Sequence, residues 1–165
     1  LANEALQKRF GSIAMVTYWR SRLENIAVWI IDQEKSRRQS VKQVIAEQDI
    51  SYEYAGPAGP FILHARIDRI ERLQDGTLAL SDYKTRTLPD FKDAETGYAN
   101  QLTLAAALIQ KSSDVQVSEL HYWKLGGREG GAIKTYFEKL PDLIEKTETG
   151  VLHLLASYDN PAQPY

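Results

Sequence analysis

The stretch Leu78–Thr87, LALSDYKTRT, begins as a buried strand and then places Asp82, Lys84 and Arg86 at alternate positions. Side chains two apart on a strand point to the same face. Three ionisable groups therefore follow Leu78 and Leu80 on a face that started apolar. Either that face has reached water by Asp82, as alternating charges on a strand often do, or the charges form a site.

Upstream, FILHARIDRIERL (61–73) and TLALSDYKT (77–85) flank Asp75-Gly76, a strong hairpin signal. Register decides what this hairpin builds. A two-residue turn pairs Gln74 with Thr77 and puts Asp68 and Asp82 on opposite faces. A three-residue loop, Gln74-Asp75-Gly76, pairs Leu73 with Thr77 and sets Asp68 directly across from Asp82. The expectation is the three-residue form, with Gly76 in the left-handed bulge position. One face then carries Arg66, Asp68, Ile70, Leu78, Leu80, Asp82 and Lys84, and Ile70 pairs with Leu80 as an apolar layer below the charges.

Carboxylates facing each other across strands at about 5 Å repel unless a positive charge lies between them. A hard divalent cation such as Mg²⁺ or Mn²⁺ suits the place, because it takes oxygen ligands and keeps waters for a substrate. The Tyr83 backbone carbonyl is a further candidate ligand. Lys84 would project into the same site, to orient or help deprotonate a bound water or to stabilise charge on a phosphate. This is the chemistry of phosphodiester hydrolysis.

The rest of the chain supplies a scaffold. Residues 1–10 read as a short helix. From about Ala14 to Ser36, Val16, Trp19, Leu23, Ile26 and Ile30 recur at helical spacing, an amphipathic helix in one piece or two. Residues 40–54 read as one or two strands, AGPAGP (55–60) as a loop and TLPDFKD (87–93) as a loop. A helix is expected over 94–111, strands over 115–125 and 132–138 around the GGREGG turn, and a last helix from Pro141 to about Ser157. The domain divides into a helical lead-in (1–38), a core sheet (40–138) and a C-terminal helix (141–157). The fold class is α/β, a mixed central sheet flanked by helices.

Composition narrows the partners. At 165 residues, 43% hydrophobic and 25% charged, the chain has the size and make-up of one globular domain. A net charge of −2 gives no global pull toward nucleic acid or membrane, so a nucleic-acid surface must be a local basic patch. The absence of cysteine excludes disulfides, thiolate metal sites and an iron–sulfur cluster in this chain. The sequence lacks an initiator Met and reads as a piece of a longer protein.

Asp68 in ARIDRIE, then Ser81-Asp-Tyr-Lys-Thr85, then Gln101-Leu-Thr-Leu-Ala105 resemble the successive motifs of the RecB-like branch of the PD-(D/E)xK nucleases. Other features resemble the C-terminal nuclease domain of AddB-type subunits of double-strand-break repair helicase–nucleases: Glu34 with Arg37-Arg38, Glu47, Tyr122-Trp-Lys-Leu-Gly-Gly127 and the closing YDNPAQPY. The resemblance covers most of the chain from about residue 19. It implies a restriction-endonuclease-like core and a Mg²⁺-dependent deoxyribonuclease, with Mn²⁺ able to substitute. It further implies DNA as substrate, an AddA-like partner subunit and a bacterial cytoplasmic location. Asp68 and Asp82 would be the metal-binding acids, Lys84 the catalytic lysine and Gln101 a glutamine near the active site and DNA. The family's tyrosine position is Ala105 here. Its first motif, an upstream helix carrying a metal ligand, does not match His64, His121 or His153 and is expected before Leu1. The alternatives are a nuclease-like module without turnover, serving DNA binding or subunit assembly, and a different enzyme of the same fold, such as a Holliday-junction or CRISPR-associated nuclease, against which the Tyr122–Gly127 and YDNPAQPY resemblances speak.

Several residues keep two readings. Arg66, Arg69 and Arg86 are candidates for phosphate contact or for surface ion pairs with Glu71 or Asp90. Glu47 is a possible extra acid near the metal or an edge-strand charge, and Gln101 could merely cap its helix. Trp19, Trp29 and Trp123 are spaced for packing.

Overall fold

In the computed structural model, which describes residues 13–97, 99–126, 129–136, 138–160 and 162, Leu73 N–H donates to the Thr77 carbonyl at 2.9 Å. Gly76 closes the loop with φ +90° and an N–H bond back to Leu73. The hairpin therefore has its three-residue loop, and Ile70 pairs with Leu80 and Arg69 with Ser81 as that register requires.

Five strands form one sheet in sequence order: β1 (Val41–Gly56), β2 (Gly59–Leu73), β3 (Leu78–Lys84), β4 (Val117–Leu125) and β5 (Gly131–Tyr136). All neighbours are antiparallel except β3 and β4, which run parallel. A parallel pair needs a crossover, and the segment between β3 and β4 supplies helices α2 (Phe91–Glu95) and α3 (Gln101–Ser112). Helix α1 (Ile13–Arg37) precedes the sheet and α4 (Leu140–Tyr158) follows it.

The single helix expected over 94–111 is thus two. A reciprocal capping box between Asp90 and Asp93 starts α2 inside the stretch expected to be a loop. Gly97, at φ +82°, follows its last turn in the left-handed region. The stretch 40–54 is one strand, and AGPAGP shrinks to a tight turn because pairing runs out to Gly56↔Gly59. The helix expected over residues 1–10 lies outside the described residues, as do Gly127, Arg128, Phe137 and much of the closing segment.

On one face of the sheet α3 lies against Ile70, Leu80, Leu120 and Tyr122. Ala105, Ala106 and Ala107 are all buried, and such small side chains let the helix axis approach the sheet closely. Leu140 and Ile144 of α4 join the same core. On the opposite face α1 packs Trp29 edge-on against Trp123, ring centroids 5.7 Å apart. That face also buries charge. Glu71, fully buried, receives Arg37 and Arg69, and Arg69 also reaches Glu34. Instead of a phosphate contact or a surface pair, Arg69 is covered by α1 and its pair with Glu71 is internal.

Candidate active site

Strand β3 carries the apolar-to-charged transition from the core to the sheet's end. Leu80 is wholly buried, Asp82 remains 3% exposed, and Lys84 is half-buried. Because β3 and β4 are parallel, their carboxyl ends leave together, with Asp82 beside Tyr122 and Lys84 beside Lys124.

Asp68 meets this end by a break in the hairpin. Beyond Arg69↔Ser81 the Asp68 carboxylate itself takes the place of a ladder partner, accepting the Tyr83 N–H at 2.9 Å. The β1–β2 ladder is disturbed at the same level, since Glu47 has φ 52° between the pairs Ala46↔Arg69 and Gln48↔Ile67. The side-chain alternation slips there. Ile67 and Ile70, three apart and so on opposite faces of a regular strand, both belong to the α3-side core. Arg66 consequently does not share the Ile70 face as expected. It is exposed and ion-paired with exposed Glu47 at 2.5 Å, which accounts for both residues. Arg86 is exposed beyond the end of β3.

Lys84 joins the acids to the crossover. Its Nζ lies 2.7 Å from Asp82 Oδ2 and donates to Gln101 Oε1 at 3.0 Å. Gln101 is the first residue of α3, after the N-cap Asn100, and its side-chain oxygen takes the lysine. The ammonium is the ion-pair partner of that buried Asp82 Oδ2. Burial holds the Asp82 carboxyl above its ordinary pKa; Lys84 pulls it down, Asp68 pushes it up again, and Gln101 pulls it down.

A cleft of about 390 Å³ opens beside Lys84, lined also by Thr87, Leu88, Asp93, Asn100, Gln101 and Tyr122. Tyr122 forms its floor, donating its hydroxyl to the Ala99 carbonyl at 3.2 Å. Tyr122 belongs to the site although its sequence context suggested only a family motif. Its parity with Lys124 on a strand parallel to β3 was the available signal.

The donor set suits a hard divalent cation. Asp68, Asp82 and the Tyr83 carbonyl offer only oxygen, and the mutual repulsion of the two carboxylates, which raises the Asp82 pKa, is relieved by a cation between them. Among the described residues no third acid or histidine joins the pair.

A sequence model described as the PD-(D/E)XK nuclease superfamily matches residues 1–165. The mixed sheet flanked by helices agrees with a restriction-endonuclease-like fold. No curated protein matches. A solved structure, "Crystal structure of SSO0001", is similar at 11% identity and a TM-score of 0.44, over 99% of this chain and 82% of that one.

Proposed function

The chain belongs to the PD-(D/E)XK nuclease superfamily, and from that premise we propose that it is a metal-dependent deoxyribonuclease of the RecB/AddB type, acting beside an AddA-like partner subunit in double-strand-break repair in the bacterial cytoplasm. The observation that carries the reading is the convergence of Asp68, Asp82 and Lys84 where parallel strands β3 and β4 end above an apolar floor. The motifs around Tyr122–Gly127 and the closing YDNPAQPY support the AddB-type branch.

Asp68 and Asp82 would hold Mg²⁺, with the Tyr83 carbonyl as a third oxygen. When bound, the cation supplies Lewis-acid charge at the phosphate and a more acidic water. The chain's own part is positional and electrostatic. Asp68 is fixed by the Tyr83 N–H, so its remaining oxygen is oriented before any ligand arrives. Lys84 presents a positive N–H donor to the phosphate oxygens on which negative charge grows. Gln101 holds that ammonium at the cleft mouth.

A second reading, a nuclease-like assembly module without turnover, draws on the fact that no third acid or histidine is grouped with Asp68 and Asp82 as a metal ligand among the described residues. Incubation of wild type, Lys84→Ala and Asp82→Asn with linear DNA and Mg²⁺ or Mn²⁺ separates the two. Cleavage by wild type alone supports the nuclease. Equal cleavage by all three would assign it to a contaminant, and DNA binding without cleavage would favour the module.

A further inference from the structure

We propose that Lys124 and Lys134 form, with Lys84, a track for nucleic-acid backbone phosphates that carries the strand from the cut across β4 to the edge strand β5. This rests on the nuclease reading for the meaning of Lys84, but not for the geometry.

The register puts the three lysines on one face. Lys84 is the direct neighbour of Lys124 on parallel β3 and β4, and Lys134 is the direct neighbour of Tyr122 across β4 and β5. Neighbours in register project to the same side, and Lys124 and Tyr122 are two apart on one strand. All three ammonium stems therefore rise from the face that carries Asp82. From Lys84 to Lys134 is two strand spacings across and two residues along, roughly 12 Å, a distance that long lysine side chains can divide among adjacent phosphates of one strand.

Their electrostatic condition sets Lys124 and Lys134 apart. Lys35, Lys84, Lys111 and Lys146 each have a carboxylate partner. Those without a carboxylate partner among the described residues are Lys42, Lys92 and Lys139, which are exposed, and Lys124 and Lys134, which are half-buried, Lys134 resting 6.0 Å over the Tyr136 ring. An exposed ammonium needs no partner, whereas a half-buried one has lost hydration without an ion pair to replace it. An anion from outside the chain completes such a pair. The start of α3 at the same cleft points the same way: its first turn carries no acid and no side-chain cap bond, and free helix-terminal N–H groups favour negative charge. Because the chain as a whole is net negative, a phosphate backbone would be held only where positive charge is local. This row provides it.

The test is fluorescence anisotropy of a fluorescein-labelled single-stranded DNA oligonucleotide, titrated in EDTA over a range of KCl concentrations. Wild type is compared with Lys124→Ala/Lys134→Ala, Lys124→Arg/Lys134→Arg and the outlying Lys42→Ala, each checked for a wild-type melting temperature. Loss of two phosphate contacts should flatten the slope of log affinity against log salt by about 1.4 for a single strand. Arginine at both positions should restore the slope, and Lys42→Ala should leave it unchanged. An unaltered slope in the double alanine variant overturns the track, as does a wild type that does not bind the oligonucleotide. A parallel Mn²⁺ cleavage assay separates the two ideas. Lys84-dependent cleavage with an unaltered slope removes the track and leaves the nuclease; a flattened slope without cleavage does the reverse.

Discussion

Asp82 and Lys84 stand two residues apart on β3 with the ammonium 2.7 Å from Oδ2, yet the carboxyl titrates above its ordinary range because burial and Asp68 outweigh the lysine and Gln101. The fold thus disfavours the charge that metal binding would require. A raised folded-state pKa means that the stabilising contribution is complete below the unfolded value, about pH 3.9, and is lost as pH rises through the folded value. Asp82→Asn should therefore melt higher than wild type at neutral pH, and the gain should vanish near pH 4. Thermal melts at the two pH values measure this. A lower melting temperature at neutral pH would mean that the ion pair outweighs the desolvation.

Gln101 acts on Lys84, not on the acids alone, because its Oε1 accepts the ammonium at 3.0 Å. In Gln101→Ala the lysine loses one of its two anchors while its charge remains. Misplacing a catalytic group by about 1 Å costs up to roughly a hundredfold, so cleavage should slow by about tenfold to a hundredfold. DNA affinity in EDTA should change far less. A loss confined to affinity would make Gln101 a binding residue only.

On the opposite face, Glu71 is the acid on which Arg37 and Arg69 converge. Burial alone would raise its pKa, but the two guanidinium groups overcome that and lower it. Glu71→Gln leaves two largely buried cations without their shared anion, a change that typically costs about 3–5 kcal/mol. For a domain of this size the melting temperature should fall on the order of 10 °C. Because a lowered pKa gives stability above the unfolded value and loses it as pH falls through the folded one, the variant's stability should also vary less with acid pH. A melt within a few degrees of wild type would show that water reaches the pair.

The hairpin was legible because its information is local. Asp75-Gly76 marks the turn and narrows the loop to two lengths, and the three-residue one, with Gly76 left-handed, sets the register that brings Asp68 toward Asp82. Helices α1 and α4 were legible from periodicity to within a residue or two at their ends. Arg69 and Glu71 were misread as surface because a strand sequence does not say which helix will cover it; Trp29 and Arg37 of α1 decide that from far away in the chain. The slip at Glu47 and Asp68 was also hidden. Nothing in ARIDRIE signals that alternation changes phase there, since the cause is a left-handed residue on the neighbouring strand. The split between α2 and α3 was readable in principle, from Asp90, Asp93 and Gly97.

The docking of α1 over β5 can be tested at a residue with no chemistry. Gly131 begins β5, and a Cβ there would stand 2.5 Å from Trp29 Cε3 and Cζ3 and 2.6 Å from the Lys124 carbonyl. The indole is itself pinned edge-on to Trp123, which is fully buried, so the ring cannot withdraw without opening the core. Gly131→Ala should cost about 1–3 kcal/mol by overpacking, read as a lower urea midpoint with an unchanged denaturant slope. Shrinking the obstructing ring in Gly131→Ala/Trp29→Leu should make the two substitutions non-additive, because they share one contact. Strict additivity would mean that α1 does not rest on Gly131, and the helix would then have to be held to the sheet chiefly by the Arg37, Arg69 and Glu71 network.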